Sequence, residues 1–142
     1  MRLIPLGGLG EIGLNMMALE YNGAVLIIDC GLLFPEARML GIDLVLPDTG
    51  LLQKRKDDIR GLLLTHGHED HIGSLPYLLE SLGFPPIYGT PLTIGLLTGK
   101  LVEHGLERQV DCHRVTLREP FELDPFCIEF FRAAHSITDG AG

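Results

Sequence analysis

Positive charge is scarce in this chain: 11 Lys and Arg stand against 19 Asp and Glu, a formal net charge of -8 over 142 residues. A nucleic-acid binder more often carries a basic patch, so this balance excludes that class unless something else supplies positive charge. Cysteine is sparse as well. Cys30, Cys112 and Cys127 are odd in number and widely spaced, which excludes both a disulfide framework and a Cys-x-x-Cys zinc or redox site. They are expected to be reduced and mostly packed. Long apolar runs are also missing, since Ala24 to Ile28 and Leu62 to Leu64 fall far short of the ~20 residues that span a bilayer. Glu11 and Asn15 interrupt the apolar first fifteen residues and no small-x-small cleavage site follows, which argues against a signal peptide. The expected location is the cytoplasm, with no membrane partner.

What is present is a folding composition. With 46% hydrophobic and 21% charged residues the chain can bury a sizeable core, and one domain is expected. The 18 glycines and 9 prolines mark tight turns. Met1 to Leu6 reads as a short strand entering the glycine-rich stretch Gly7 to Gly13. Asn22-Gly23 predicts a hairpin between Met16 to Tyr21 and Ala24 to Asp29, because both turn residues tolerate positive φ. Residues 31 to 50 read as a long connection, with a short helix around Leu51 to Lys56. Ile59 to Thr65 is a buried-type strand. Ile72, Leu75, Leu78, Leu79 and Leu82 keep helical spacing until Gly83. A brief strand at Ile87-Tyr88 leads to Thr90-Pro91, a start signal for a helix of about fourteen residues ending near Gly105. Cys127 to Ala134 reads as extended and delivers His135 into a final polar stretch.

The chemistry concentrates in Thr65-His66-Gly67-His68-Glu69-Asp70-His71, which holds three of the six histidines directly after a buried strand. Imidazoles with a carboxylate are the ligand set of zinc and related divalent ions, and a loop at a strand end can aim alternate side chains at one centre. His66 and His68 can converge on one ion while Asp70 and His71 turn to a second. Glu69 is expected to face away. Two such ions about 3.5 to 4 Å apart share a bridging water, lower its pKa and clamp the oxygens of a displacement, so hydrolysis is the expected reaction class. The ions also answer the charge objection, because they act locally as a basic patch would.

His-x-His-x-Asp-His at the end of a strand, here His66 to His71, resembles the metallo-β-lactamase superfamily. The surrounding residues are similar to a narrower group: Pro5 to Asn15, Phe34-Pro-Glu36, Gly41-Ile-Asp43, His66 to Pro76 and Tyr88 to Leu106 resemble the ribonuclease J family of β-CASP ribonucleases, over nearly the whole chain. The resemblance implies an α/β fold of the αββα type, a mixed sheet with outer helices, of which residues 1–142 would be the N-terminal part. It implies RNA as substrate, hydrolysed from the 5′ end and internally, with two zinc ions and with manganese or magnesium as alternatives. His66, His68 and His135 would bind the first ion and Asp70 and His71 the second, the latter pair being the catalytic residues. Asp29, in Ile-Ile-Asp-Cys-Gly, would support the metal loop without ligating.

His135-Ser136-Ile137-Thr138-Asp139-Gly140 is similar to a motif that usually reads His-Ser-Ile-Pro-Asp-Ser. Thr138 and Gly140 depart from it, which implies a less rigid loop with one polar contact fewer. Ser136 is a candidate phosphate contact. In that family a bridging aspartate, the β-CASP domain, a later histidine ligand and a 5′-phosphate pocket lie beyond this motif, so residues 1–142 alone are expected to be inactive. A homo-oligomer is left open for the full-length protein.

Two other readings compete. A glyoxalase II-like thioesterase would share the histidine cluster but not the Gly7 to Asn15 segment. A dinucleotide-binding module is suggested by Gly8-Leu-Gly10-Glu-Ile-Gly13 with Asp29 at the distance of a ribose-binding acid. That module requires a helix from Gly10 to about Tyr21, where Asn22-Gly23 predicts a hairpin, and it would put Pro5 in a central strand. His104, near a helix end, and His113, placed in a polar connection, are given no catalytic role.

Overall fold

The hairpin at Asn22-Gly23 starts the sheet. In the computed structural model, which describes residues 1–142, both turn residues adopt positive φ, 49° and 81°, the pair of angles that a two-residue turn between right-twisted strands requires. They join β2 (Met16–Tyr21) to β3 (Ala24–Ile28), with Tyr21 opposite Ala24. β1 (Arg2–Gly7) pairs antiparallel with β2 and forms the sheet edge. An edge tolerates Pro5, which has no N–H to give to a neighbour. Residues 16–21 are strand, so the helix needed by a dinucleotide fold is not there, and that reading falls.

The direction then changes. β3 lies parallel to β4 (Ile59–Leu64), β4 to β5 (Ile87–Gly89) and β5 to β6 (Cys112–Arg114), which gives a mixed six-stranded sheet in the order β1-β2-β3-β4-β5-β6. Parallel neighbours need crossovers, and these are helical: α1 (Gly50–Gln53) before β4, α2 (Glu69–Ile72) and α3 (Leu75–Leu78) before β5, and α4 (Pro91–Glu103) before β6. Val25, Ile27, Leu62 and Leu64 bury one sheet face against Leu75, Leu79, Leu97 and Leu101 of the helical layer. Each such side chain contributes about 1.5–3 kcal/mol by leaving water. The opposite face carries Leu26 and Leu63, which pack on Phe126, Ile128 and Phe130 beneath a two-stranded ribbon of β7 (Phe121–Leu123) and β8 (Phe126–Ile128). The sheet is therefore mixed with helices on its outer face, as the sequence suggests.

Three local expectations need correction. The helix read through Ile72 to Leu82 is broken after Ile72, because Pro76 has no N–H for the Ile72 carbonyl and Ser74 turns aside, donating from its N–H to Cys30 O (3.0 Å) and from its hydroxyl to Gly31 O (2.7 Å). His113 is not in a connection: it sits on β6 and its ring stacks on Tyr88, with centroids 4.7 Å apart. Cys127 to Ala134 is regular strand only as far as Ile128. The cysteines are mostly packed, as expected: Cys30 is buried and Cys112 half-buried, and Cys127 is exposed. Short strands such as β6 and β7 have three residues each, too few for a period-2 pattern to be read.

What matters for function is where the parallel strands end. β3 and β4 point the same way, so Asp29 and Thr65 emerge side by side at their carboxyl ends, the end of an open α/β sheet where ligands bind.

Candidate metal centre

Asp29 organises the residues around it. Its φ of 59° is left-handed, a conformation that aspartate tolerates better than most residues, and it turns the carboxylate back over β4. Oδ1 accepts the Thr65 N–H (2.8 Å), while Oδ2 accepts the Thr65 hydroxyl (2.8 Å) and His71 Nδ1 (2.8 Å). An ionised carboxylate only accepts, so Nδ1 of His71 carries the ring proton and its Nε2 keeps a lone pair. The Thr65 hydroxyl has spent its hydrogen on Asp29, so it accepts from His66 Nδ1 at 3.0 Å, which frees Nε2 of His66 in the same way. One carboxylate thus sets the tautomers of two histidines, a role that second partners of metal ligands commonly fill.

The freed Nε2 of His66 has other imidazoles close by. His66 Nε2 lies 3.1 Å from His68 Nδ1, and donor atoms of His66, His68 and His135 all fall within 4.8 Å of one another. Two nitrogens held by one tetrahedral zinc, each ~2.0–2.1 Å away, lie about 3.4 Å apart, so the observed spacing suits a single ion. Burial, with the neighbouring rings of His71 and His135 next in weight, pushes the His66 pKa down to about 4 against the smaller opposing effect of Asp29. The ring is therefore neutral at pH 7, as a ligand must be. Beside this cluster, Asp70 Oδ2 sits 3.6 Å from His71 Nε2. With the His71 proton on the other nitrogen, two lone-pair atoms face each other there, an arrangement that a cation between them would relieve. The donor set of the three histidines fits a divalent metal, and the Asp70–His71 pair lies beside it.

Other nearby groups are engaged elsewhere. Glu69 forms an ion pair with Lys100 of α4, facing away from the cluster. Burial, with a contribution from Asp29, pushes the Cys30 thiol up to about 12, and this residue stands outside the group of converging donor atoms. Ser136 touches His135, its N–H donating to Nδ1 at 2.8 Å and its hydroxyl lying 3.2 Å from the same atom. His104 caps α4, 2.9 Å from Lys100 O, and His113 pairs with Asp111 at 3.0 Å, both away from the cluster.

Two participants were not singled out from the sequence. Thr65 precedes His66 at a strand end, where the sequence marks it only as a flanking residue. Asn15 donates from its side-chain amide to Asp70 Oδ2 at 3.0 Å, across 55 residues of sequence, a contact without any local signal. A cleft of ≈ 310 Å³ lined by Ile12, Leu33, Phe34 and Asp70 among others opens beside this carboxylate.

Known proteins resemble this chain on three levels. It is 43% identical over 141 residues to ribonuclease J of Helicobacter pylori strain 26695, covering 99% of this chain and 20% of that protein. It is 42% identical over 141 residues to ribonuclease J2 of Bacillus subtilis strain 168, covering 99% and 25%. The chain thus spans about a fifth to a quarter of the length of the curated relatives it matches. Among solved structures, a diphosphatase of the PhnP family superposes with a TM-score of 0.63 at 22% identity, covering 91% of this chain and 47% of that one. Human tRNase Z, short form, superposes with a TM-score of 0.62 at 19% identity, covering 99% and 62%. At such identities the likeness concerns the fold. The family model described as the metallo-beta-lactamase superfamily matches residues 9–125, and with the histidine cluster at the carboxyl end of β4 it places this chain in that superfamily, to which it belongs.

Proposed function

We propose that residues 1–142 are the N-terminal part of the metallo-β-lactamase domain of a ribonuclease J-type enzyme, one that hydrolyses RNA phosphodiester bonds from the 5′ end and internally in the cytoplasm. The observation that carries this reading is the convergence of His66, His68 and His135 beside Asp70 and His71, in a chain that matches ribonucleases J over 99% of its own length. His66, His68 and His135 hold one divalent ion and Asp70 and His71 the second, zinc being favoured by the imidazole-rich donor set. Such ions supply Lewis acidity and an acidified water, and they offset the net charge of -8 where an RNA phosphate approaches.

The chain's own residues prepare that site. Asp29 and Thr65 hold His66 and His71 as the tautomers that present Nε2. Lys100 draws Glu69 aside, which leaves Asp70 as the carboxylate beside His71. The cleft beside Asp70 gives the strand room to approach. Ser136 acts first on His135, through the two contacts to Nδ1.

The test is degradation of a 5′-monophosphorylated RNA by the intact protein with zinc or manganese, against a chelator control. Asp70→Ala is expected to abolish hydrolysis and leave RNA retention on a filter largely unchanged, because the reacting bond depends on the second ion whereas strand contacts do not. If the intact protein spares RNA but cleaves a thioester, the nuclease reading fails.

A further inference from the structure

Asn15 lies at the end of the first glycine-rich loop, far from the histidines in sequence, yet three of its four polar groups are spent on the loop that carries Asp70 and the strand end behind it. Its backbone N–H donates to Asp70 O at 3.1 Å, its carbonyl accepts the Gly31 N–H at 2.9 Å, and its side-chain amide donates to Asp70 Oδ2 at 3.0 Å. The amide orientation is fixed by chemistry, because a carboxylate accepts only and the NH₂ must face it. The amide oxygen then turns to Gly8, where an added Cβ would come within 2.6 Å of it. Glycine at position 8 leaves the room that this oxygen occupies. Oδ2 of Asp70 is the same oxygen that lies 3.6 Å from His71 Nε2.

We propose that Asn15 is a positioning residue for the Asp70 carboxylate: its amide fixes the carboxylate plane so that Asp70 and His71 present their lone pairs to one point. This rests on the reading of Asp70 and His71 as the second metal site. The free carboxylate of a half-buried aspartate can rotate about its terminal torsion, which is broad. A donor at one oxygen removes that freedom before an ion arrives, and the outer partners of metal ligands typically change affinity 10- to 100-fold. The Gly8 to Asn15 loop is therefore part of the metal centre rather than a turn beside it.

The experiment is cobalt(II) titration of the intact protein, followed by absorbance and by heat, with Asp70→Ala marking which binding step belongs to Asp70. Asn15→Ala and Asn15→Leu are compared, leucine filling the volume of asparagine without donating. Both keep the backbone bonds of residue 15. The expected result is a 10- to 100-fold weakening of the Asp70-dependent step in both variants, with the other step within about twofold of wild type. Restoration of that step by leucine would show that Asn15 acts by packing and overturn the proposal. So would equal weakening of both steps, or loss of the folded state in both variants. If wild type shows a single step that Asp70→Ala leaves unchanged, the two-ion reading itself falls and this proposal with it. Two wild-type steps that both ignore Asn15 overturn this proposal alone.

Discussion

Residues 66–71 and residues 135–139 both bring histidines to the cluster, but the first set is knitted into the fold and the second hangs from few bonds. Around the first, Cys30 N donates to His71 O (2.7 Å), Leu32 N to Glu69 O (3.2 Å), Asn15 N to Asp70 O (3.1 Å) and Ser74 N to Cys30 O (3.0 Å). Three chain segments close into a collar, so tight at Gly31 that a Cβ there would overlap the Asp70 carbonyl. His66 inside it is only 5% exposed. The second segment is a loop on a narrow base, with Ala133 N bonded to Gly140 O (3.0 Å) and Ala141 N to Thr65 O (2.9 Å). Asp139 adds one bond, accepting the Leu92 N–H at the start of α4 (3.1 Å). His135 itself is exposed. The collar holds its histidines in a closed hydrogen-bonded frame, whereas the second loop brings an exposed histidine to the cluster on few bonds.

That contrast can be broken most sharply by removing one ligand from each side. His66→Ala is expected to lower zinc affinity by more than the ~100-fold typical of an outer partner and to lower the melting temperature, because the ring is buried in the collar. His135→Ala should lower zinc affinity while leaving the melting temperature of the zinc-free protein unchanged. Competition with a chromophoric chelator and a thermal melt read the two quantities separately. If both variants lose stability alike, the two segments do not differ as described.

A smaller effect is expected from Asp29→Ala, which removes the acceptor of the Thr65 N–H and of His71 Nδ1 together. Zinc affinity should fall 10- to 100-fold, and each donor left buried without a partner costs about 1–3 kcal/mol. Denaturant melts with and without zinc check both. Unchanged zinc affinity would mean that the tautomers of His66 and His71 are set by something else.

Acid probes the collar without a mutation. His66 is held neutral in the fold down to about pH 4, whereas in the unfolded chain it takes up a proton near its ordinary value of ~6.5. Between these values the unfolded chain binds the extra proton, so this group's contribution to stability is complete above pH 6.5 and is lost as pH falls towards 4. Denaturation midpoints of the zinc-free protein should decline across that window, and His66→Ala should flatten the decline. An equal slope in the variant would assign the acid sensitivity to other groups.

The smallest effects belong to the loop and the periphery. Ser136→Ala keeps the backbone N–H bond to His135 and should change zinc affinity less than Asp29→Ala. His104→Ala, at the end of α4, should leave zinc binding as it is, and equal losses from His104→Ala and His68→Ala would show the ligands to be misassigned.

The sequence by itself determined the hairpin and the buried strand, because each rests on local physics, and it supplied the candidate ligands. Asn22-Gly23 tolerates the angles its turn needs, the apolar residues of β4 can only be buried, and four side chains of metal-ligand type fall within six positions. It did not determine the break after Ile72, the β6 and β7 strands, or the contact of Asn15 with Asp70. Tertiary structure decided these. Pro76 removes one helical bond locally, and bonds from Ser74 to Cys30 and Gly31, more than forty positions away in sequence, complete the break in the helical period that Ile72 to Leu82 displays. The same is true of the metal centre: residue types announce that ions can bind, but which nitrogen faces the ion follows from Asp29 and Thr65 meeting at the ends of two parallel strands. That meeting depends on sheet order and register, and neither is encoded in any one stretch of chain.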